Sequence, residues 1–286
     1  MRLRSVTVIL ATLGVLMGSL AATTSSAEPA AGRTYLALGD SLSASLQPNG
    51  DMHSGYAEQI LQLEQASLPD LRLDKLGCPG ERTSTMDVAK KRCPYAEGSQ
   101  LAQAVAALQH RDVAFVTLQI GSNDTFRCFD FGANAFDEAC MDKLLPKISA
   151  RLTSIVGTLR DAAGPDVPII GATYHDPVIF LWTIPGLDHD IVVANSGVWA
   201  TFNDMLEQTY AALGVPVANV GAAFSVTDFD TIVHVRAVGD VPINVARACE
   251  WTYECSEKFG YDPHPNTIGY AAMTRAWEAA LATALA

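Results

Sequence analysis

Short apolar runs alternate with amphipathic stretches along most of the chain. Runs rich in β-formers predict strands, and apolar residues at helical spacing predict helices. The predicted strands cover residues 34–38, 71–76, 113–120, 167–172 and 215–220. The predicted helices cover residues 56–66, 100–108, 144–159, 195–213 and 267–285. Strands that alternate with helices favour an α/β fold, in which a parallel sheet is covered by helices on both faces.

Local signals refine these elements. Ser99 is suited to cap the second predicted helix. Pro146 falls near the predicted start of the third helix, where proline is tolerated. The pattern predicts a loop over residues 121–140 and no regular element over residues 221–265.

The first 27 residues have the pattern of a secretory signal peptide. Arg2 and Arg4 precede an uncharged run that is apolar through Leu20 and ends in small residues at Ala27, the expected cleavage site. A membrane anchor is disfavoured because the apolar core fades before it reaches about 20 residues. We therefore expect a secreted, extracellular protein with no integral membrane segment, in which residues 28–286 form a single domain.

The charge of the chain limits its partners. The formal charge is −12 at pH 7 and becomes −14 when Arg2 and Arg4 are removed with the signal peptide. So acidic a protein is not drawn to nucleic acid or to anionic membrane surfaces by charge. Neutral or apolar substrates fit better than polyanions.

The six cysteines all follow the predicted signal peptide. An even number in a secreted chain indicates disulfides, for which fifteen connectivities are open. The cysteines fall into three close pairs, which favours Cys78–Cys93, Cys128–Cys140 and Cys249–Cys255. A metal site is disfavoured because the chain has no Cys-x-x-Cys motif.

Polar turns that contain glycine follow the first three predicted strands, around Ser41, Gly80 and Asn123. The carboxyl ends of parallel strands share one edge of the sheet, so we expect these turns to converge. Ligands bind at that edge in open α/β sheets. Gly39-Asp40-Ser41 is also ordinary turn chemistry, so Ser41 is a candidate nucleophile only if a base lies nearby.

His264 is the best candidate for that base among the six histidines. It lies just before the last predicted helix, in the sequence Asp262-Pro263-His264-Pro265. Proline biases the residue before it toward extended backbone, and residues two apart in an extended segment point to the same side. Asp262 can therefore orient His264 and leave its Nε2 atom free to accept a proton. The alternative is a rigid turn that caps the helix.

The motifs Gly39-Asp40-Ser41-Leu42, Gly80, Gly121-Ser122-Asn123-Asp124 and His264-Pro265-Asn266 together resemble the four blocks of the SGNH/GDSL hydrolase family. The resemblance is to its secreted, disulfide-bearing bacterial esterases and lipases in particular, and it spans nearly the whole mature chain. It implies a three-layer α/β/α fold whose five-stranded parallel sheet has flavodoxin-like order. It also implies carboxylic ester hydrolysis without a cofactor or a metal.

The resemblance implies roles for individual residues. Ser41 would be the nucleophile and His264 the general base. The backbone N–H groups of Ser41 and Gly80 and the side-chain amide of Asn123 would form the oxyanion hole. Two neighbouring carboxylates, Asp40 and Asp124, would hold turns rather than take part in the chemistry.

The chain departs from the family at the catalytic acid. The family's last block commonly places this acid three residues before the histidine, where this chain has Tyr261. Either Asp262 orients His264 directly, or a backbone carbonyl near Tyr261 does so. We favour Asp262. The absence of Gly-x-Ser-x-Gly around Ser41 argues against a nucleophile elbow of the α/β-hydrolase type.

The substrate is less constrained by the sequence. Residues 125–140 and 175–196 carry apolar and aromatic side chains that suit lipid or aliphatic acyl groups if they lie beside Ser41, and that are core if they do not. We predict substrate contacts at Phe126, His175 and Trp182. A carbohydrate O-deacetylase, a thioesterase or a phospholipase is an alternative on the same fold, and a non-catalytic lipid- or glycan-binding protein is another. We expect a monomer whose partner is a small-molecule or lipid ester.

Overall fold

Five parallel strands form the central sheet of the computed structural model, which describes residues 32–236 and 238–285. The predicted signal peptide lies outside the described residues. The strands are β1 Thr34–Gly39, β2 Arg72–Lys75, β3 Val113–Gln119, β4 Phe129–Asp130, β5 Ala135–Phe136, β6 Ile169–Ala172, β7 Val217–Ala218, β8 Ile232–Val235, β9 Gly239–Pro242, β10 Thr252–Tyr253 and β11 Asp262–Pro265.

Helices follow most of the strands of the sheet. They are α1 Tyr56–Glu64, α2 Gln100–His110, α3 Ser122–Thr125, α4 Glu138–Ala163, α5 His189–Ala212, α6 Val220–Ala223, α7 Ile243–Trp251 and α8 Thr267–Ala284. Short 3-10 helices cover Phe126–Cys128, Ile179–Thr183 and Glu257–Phe259.

The order of the sheet is β2-β1-β3-β6-β7, and every neighbouring pair in it is parallel. Counted within the sheet this is the order 2-1-3-4-5 of flavodoxin-like folds. The predicted fold class is therefore confirmed. Every residue of the central strands β1 and β3 is buried, which explains why both are nearly continuous apolar runs.

The helices pack in two groups around this sheet. Helix α1 packs on α8, while α4 packs on both α2 and α5. The largest fully buried side chains include Trp199 of α5 and Trp277 of α8. The long helices thus cover the sheet, and its carboxyl edge is left for loops.

Two predicted helix starts were wrong. Helix α4 begins at Glu138, because the Asp137 side chain caps it by accepting a hydrogen bond from Cys140 N at 3.0 Å. Pro146 therefore lies inside the helix rather than near its start. Helix α5 begins at His189, capped by Asp188. Each predicted start lies six residues too late, because the apolar stripe was followed and the caps Asp137 and Asp188, which mark the true starts, were not recognised.

The segments expected to lack regular structure also differ. The predicted loop over residues 121–140 contains α3, a 3-10 turn and the hairpin β4–β5, and residues 221–265 contain the hairpins β8–β9 and β10–β11 and helix α7. Most of these elements have only two to four residues, too few to show a period in the sequence. In contrast, the predicted strand 215–220 shrinks to two residues, β7, at the edge of the sheet.

The six cysteines lie in three pairs at disulfide distances. The pairs are Cys78–Cys93, Cys128–Cys140 and Cys249–Cys255, with Cα–Cα distances of 6.0, 5.5 and 4.8 Å. This fits the predicted pairing. Among residues 32–236 and 238–285, no helix is long and apolar enough to cross a membrane.

Candidate active site

A cavity of about 70 Å³ lies at the carboxyl edge of the sheet. Its walls come from the turns after β1, β3 and β6 and from β11. Ser41, Asn123, Phe126, His175 and His264 all line it. Five residues singled out from the sequence are therefore brought together here from distant parts of the chain.

The turn that carries Ser41 depends on Gly39. Its φ angle is +130°, and a Cβ atom at this position would lie 1.8 Å from the carbonyl oxygen of Gln119. Only glycine fits so close an approach. The buried Gln100 side chain accepts a hydrogen bond from Gly39 N at 2.7 Å and donates one to Gly39 O at 2.9 Å. Gln100 thereby fixes the end of β1 through both the N–H and the carbonyl group of Gly39.

The Asp40 side chain holds this turn in place. It is buried and accepts hydrogen bonds from Leu42 N at 3.0 Å and from the Tyr174 hydroxyl at 2.7 Å. Burial raises the pKa of Asp40 to about 6, although these two hydrogen bonds act in the opposite direction. The carboxyl group thus connects the turn that carries Ser41 to the segment after β6.

Hydrogen bonds join the Gly80 turn to the turn after β3. The Asn123 side-chain amide donates to Glu81 O at 3.0 Å, and Arg82 Nε donates to Asn123 O at 3.1 Å. An amide nitrogen carries two hydrogens, so one N–H of Asn123 remains for a ligand in the cavity. Gly80 is exposed and has a φ angle of +78°.

Asp124 completes this junction. Its carboxylate accepts hydrogen bonds from Thr83 N at 2.8 Å and from Thr83 Oγ1 at 2.9 Å. Burial raises the pKa of Asp124, while the bonds from Thr83 oppose that rise. Within the described part of the chain, neither Ser41 N nor Gly80 N donates a hydrogen bond. Ser41 lines the cavity, whereas Gly80 is not among the residues that line it.

The third element of the site is β11, which carries Asp262 and His264. Asp262 Oδ1 lies 2.7 Å from His264 Nδ1 and 2.9 Å from its backbone nitrogen. The extended backbone places the carboxylate beside the imidazole ring. Burial of Asp262 opposes its ionisation, but the hydrogen bonds from His264 outweigh it and hold the pKa of the carboxyl below its ordinary value. Asp262 is thus a charged acceptor at neutral pH.

His175 lines the cavity from the segment after β6, and it is buried. Its Nε2 atom lies 2.8 Å from Pro263 O. A carbonyl oxygen can only accept, so Nε2 carries the hydrogen. Burial lowers the pKa of His175 to about 4. The ring is therefore neutral at physiological pH, and its tautomer is set by Pro263.

Trp182 lies outside the residues that line the cavity. It stacks on His189 at a centroid distance of 3.8 Å and packs near Phe229. Phe131 is 73% exposed. Of the aromatic residues on the two loops singled out from the sequence, Phe126 is the one that reaches the cavity.

Sequence reasoning missed three side chains that shape the site: Gln100, Tyr174 and Glu254. All three are buried. Gln100 binds the backbone of Gly39, Tyr174 donates a hydrogen bond to Asp40, and Glu254 lies beside His175. No local motif marks them, because their partners are 61 to 134 residues away in the two hydrogen-bonded cases. Among the described residues, no cluster of three or more His, Cys, Asp or Glu side chains is arranged to hold a metal ion.

The order of the sheet, with the cavity at its carboxyl edge, defines a three-layer α/β/α protein with the SGNH hydrolase fold. A family model described as GDSL-like Lipase/Acylhydrolase family matches residues 37–272, and the chain belongs to this family. Membership supports hydrolysis of carboxylic esters in general. A search of curated proteins found no match.

Solved structures show the same fold at low sequence identity. The lipase Lip_vut3 from a goat rumen metagenome superposes with a TM-score of 0.59 at 17% identity, over 87% of this chain and 97% of that chain. A catalytic mutant of Axe2, an acetylxylan esterase from Geobacillus stearothermophilus, superposes with a TM-score of 0.53 at 17% identity, over 88% of this chain and 95% of that chain. At such identities the likeness is one of fold.

Proposed function

We propose that the protein is a secreted serine esterase that hydrolyses carboxylic esters through an acyl-serine intermediate. The observation that carries the proposal is the 2.7 Å contact between His264 Nδ1 and Asp262 Oδ1 at a cavity that Ser41 also lines. A carboxylate on Nδ1 fixes the tautomer in which Nε2 can accept a proton. The three disulfide pairs favour an oxidising compartment and hence secretion.

In the first half of the reaction, Ser41 Oγ attacks the ester carbonyl carbon while His264 Nε2 takes the hydroxyl proton. The negative charge that develops on the carbonyl oxygen is met by the N–H groups of Ser41 and Gly80 and by the free N–H of Asn123. The bond to the leaving alcohol then breaks, and His264 returns its proton to the departing oxygen. An acyl group remains on Ser41.

In the second half, a water molecule gives its proton to His264 and attacks the acyl carbon. The same donors stabilise the second oxyanion. Collapse of this intermediate breaks the bond to Ser41 Oγ, which regains its proton from His264, and the carboxylic acid leaves. Activity should fall at acid pH because His264 has to be neutral to accept a proton.

The proposal is tested with a fluorophosphonate probe and mass spectrometry on the mature, oxidised protein. We expect one label, on Ser41, and its loss in the variant His264→Ala. Ser43 supplies an internal control: it lies two residues away, is buried, and donates its hydroxyl to Asp40 O. Absence of label on the folded protein would overturn the proposal and favour a non-catalytic binding protein.

The size of the cavity favours a short acyl group. About 70 Å³ is far below the 300–1,000 Å³ of pockets that hold drug-sized ligands. A second candidate function on the same chemistry is therefore carbohydrate O-deacetylation, in which an acetyl group enters the cavity and the sugar stays outside. The lipid or aliphatic esters predicted from the sequence require a longer apolar groove.

Substitution of Phe126 separates these two candidates. If Phe126 closes the end of the acyl cavity, Phe126→Ala makes room for about two more methylenes of the acyl chain. Since burial of each methylene contributes about 0.8 kcal/mol, kcat/KM for p-nitrophenyl octanoate relative to p-nitrophenyl acetate should rise about tenfold. Phe131→Ala, at an exposed ring, is the matched control and should leave the ratio unchanged. A fall of the ratio in Phe126→Ala would instead favour Phe126 as part of a groove for long chains.

A further inference from the structure

We propose that His175 is a positioning residue that holds Asp262 and His264 in register by donating a hydrogen bond to the carbonyl oxygen of Pro263. The kinetic part of this inference rests on the proposed esterase function. Its structural part does not, because the contact between Asp262 and His264 can be measured without any esterase activity. The proposal gives His175 a role other than the substrate contact expected from the sequence.

The first step in the argument is the location of the bond. Pro263 lies between Asp262 and His264, and its carbonyl oxygen is 2.8 Å from His175 Nε2. The backbone between Asp262 and His264 is therefore held by His175, a residue outside β11. A shift of this peptide moves both partners of the 2.7 Å contact at once.

The second step is that the β-ladder by itself leaves this peptide weakly specified. Strands β10 and β11 pair at Tyr253 with Asp262 and at Thr252 with Pro265, with a register shift between these pairs. Two residues of β11, Pro263 and His264, therefore lie between the paired positions. Such an offset disrupts the local ladder. The bond from His175 supplies a fixed point in that interval.

The third step is that the backbone beside His175 is held by helix α5. The preceding residue, Tyr174, donates its backbone N–H to Asn203 Oδ1 of α5 at 2.9 Å and accepts from Asn203 Nδ2 at 2.7 Å. The His175 ring stacks on Phe224, just after α6, at a centroid distance of 4.9 Å. Pro263 is thus held, through His175, by groups that are packed and hydrogen-bonded to these helices.

The surroundings of His175 keep it a neutral donor. Glu254 Oε1 lies 3.8 Å from His175 Nε2, and burial, followed by the nearby Asp176, raises the pKa of Glu254 well above its ordinary value. Burial also raises the pKa of Asp176 to about 6. His264 disfavours a positive charge on His175 as well. The ring therefore keeps one hydrogen, and the Pro263 carbonyl fixes it on Nε2.

The test compares two nearly isosteric substitutions, His175→Gln and His175→Met. The Gln side chain places an N–H donor at about the reach of Nε2, and the Met side chain has the same length without a donor. We expect kcat for p-nitrophenyl acetate to fall about 10- to 100-fold in His175→Met, as for the loss of partners that orient ligating histidines. His175→Gln should stay within about fivefold of the wild type. KM should change little in either variant.

The split between kcat and KM separates positioning from general loss of structure. A loosened contact between Asp262 and His264 lowers kcat in His175→Met, with little change in KM, and leaves His175→Gln close to the wild type. Rates are normalised to the fraction of protein labelled by fluorophosphonate. A raised KM with unchanged kcat would overturn the proposal and identify His175 as a substrate contact. Equal losses of kcat in the two variants would also overturn it.

A spectroscopic measurement keeps this test independent of esterase activity. In the background Ser41→Ala, the Nδ1–H proton of His264 that is hydrogen-bonded to Asp262 gives a downfield NMR resonance. We expect this resonance in the parent and with His175→Gln, and its loss or broadening with His175→Met. An unchanged resonance in all three proteins would overturn the positioning role. If the resonance depends on His175 in this way but the protein with Ser41 intact shows no esterase activity, the proposed function alone is overturned.

Discussion

At the scale of single residues, Asp262 is the point at which this chain departs from its family. The family's usual position for the acid holds Tyr261, whose φ angle is +58°. Its ring stacks on Phe180 at a centroid distance of 5.2 Å. The left-handed backbone at Tyr261 redirects the chain just before β11. Asp262, one residue later, is the side chain found against His264 Nδ1.

The substitution Asp262→Asn tests which group orients His264. Asparagine keeps the shape of the side chain but removes its charge and permits the wrong tautomer of the imidazole. We expect kcat on p-nitrophenyl acetate to fall by about 10²- to 10⁴-fold with little change in KM. In the background His264→Ala the same substitution should cost almost nothing more. A loss below about fivefold would favour the alternative, a backbone carbonyl near Tyr261.

The protonation state of the Glu254 carboxyl group gives a second prediction for a single residue. Burial raises the pKa of this carboxyl well above its ordinary value, which favours its neutral form. Glu254→Gln puts a permanently neutral group of the same shape at this position, and the amide oxygen can still accept from Phe180 N. We expect kcat at pH 7.5 to stay within about twofold of the wild type. A tenfold loss would mean that Glu254 is ionised and forms an ion pair with His175.

At the scale of elements, the catalytic histidine candidate depends on a minimal hairpin. Strand β10 has two residues and β11 has four. So short a pair is not stable in isolation. The pair Cys249–Cys255 spans the end of α7 and the whole of β10, with a separation of only 6 residues. This disulfide therefore constrains β10, the strand with which β11 pairs.

Removal of this disulfide should affect activity more than stability. In the chain-entropy model the stabilisation grows with loop length, so Cys249–Cys255 contributes less than Cys128–Cys140, whose separation is 12 residues. We expect Cys249→Ala with Cys255→Ala to lower kcat about tenfold. Cys128→Ala with Cys140→Ala, the control pair, should lower the unfolding midpoint more and kcat less. The reverse ranking would show that the hairpin does not need the link.

At the scale of the whole molecule, several buried ionisable groups surround the site, and they respond to pH with opposite signs. Burial lowers the pKa of His175 to about 4 and raises the pKa values of Asp40 and Asp176 to about 6. Below about pH 6.5 the unfolded chain takes up a proton at His175 that the folded protein refuses, so stability is lost as pH falls toward 4. The two carboxyl groups favour folding below about pH 3.8, and this contribution is lost as pH rises through about 6.

The contribution of His175 can be isolated by difference. His175→Met removes the histidine and leaves both carboxyl groups, so the variant should lose less stability than the wild type between pH 7 and pH 4.5. The expected difference is on the order of 2 kcal/mol, because burial lowers the pKa of His175 from 6.5 to about 4. It is measured by urea unfolding at both pH values. Parallel losses in the two proteins would mean that His175 is accessible to protons in the folded state.

The sequence predicted the central architecture because that architecture has local causes. Continuous apolar strands such as β3 and amphipathic helices such as α8 carry their period within a few residues. The strand-end turns at Ser41 and Asn123 follow from the same pattern, as does the side-by-side placement of Asp262 and His264 between two prolines. These features predicted a parallel α/β sheet and a site at its carboxyl edge, while its flavodoxin-like order was implied by the resemblance to the family.

Tertiary structure decided the features that have no local cause. The hairpin β10–β11 and helix α7 exist because distant elements pack on them. Gln100 and Tyr174 belong to the site only because the sheet order brings β1, α2 and β6 together. The side chain that reaches the cavity is Phe126 rather than Trp182, since the loop after β6 folds the indole against α5. Sequence by itself determined that strands alternate with helices around a parallel sheet and which types of side chain lie at its edge, because backbone periodicity and turn chemistry act over a few residues. The order of the strands was implied only by the resemblance to the family. Only the tertiary structure decided which buried partners hold them, because hydrogen bonds and packing join residues without regard to their separation along the chain.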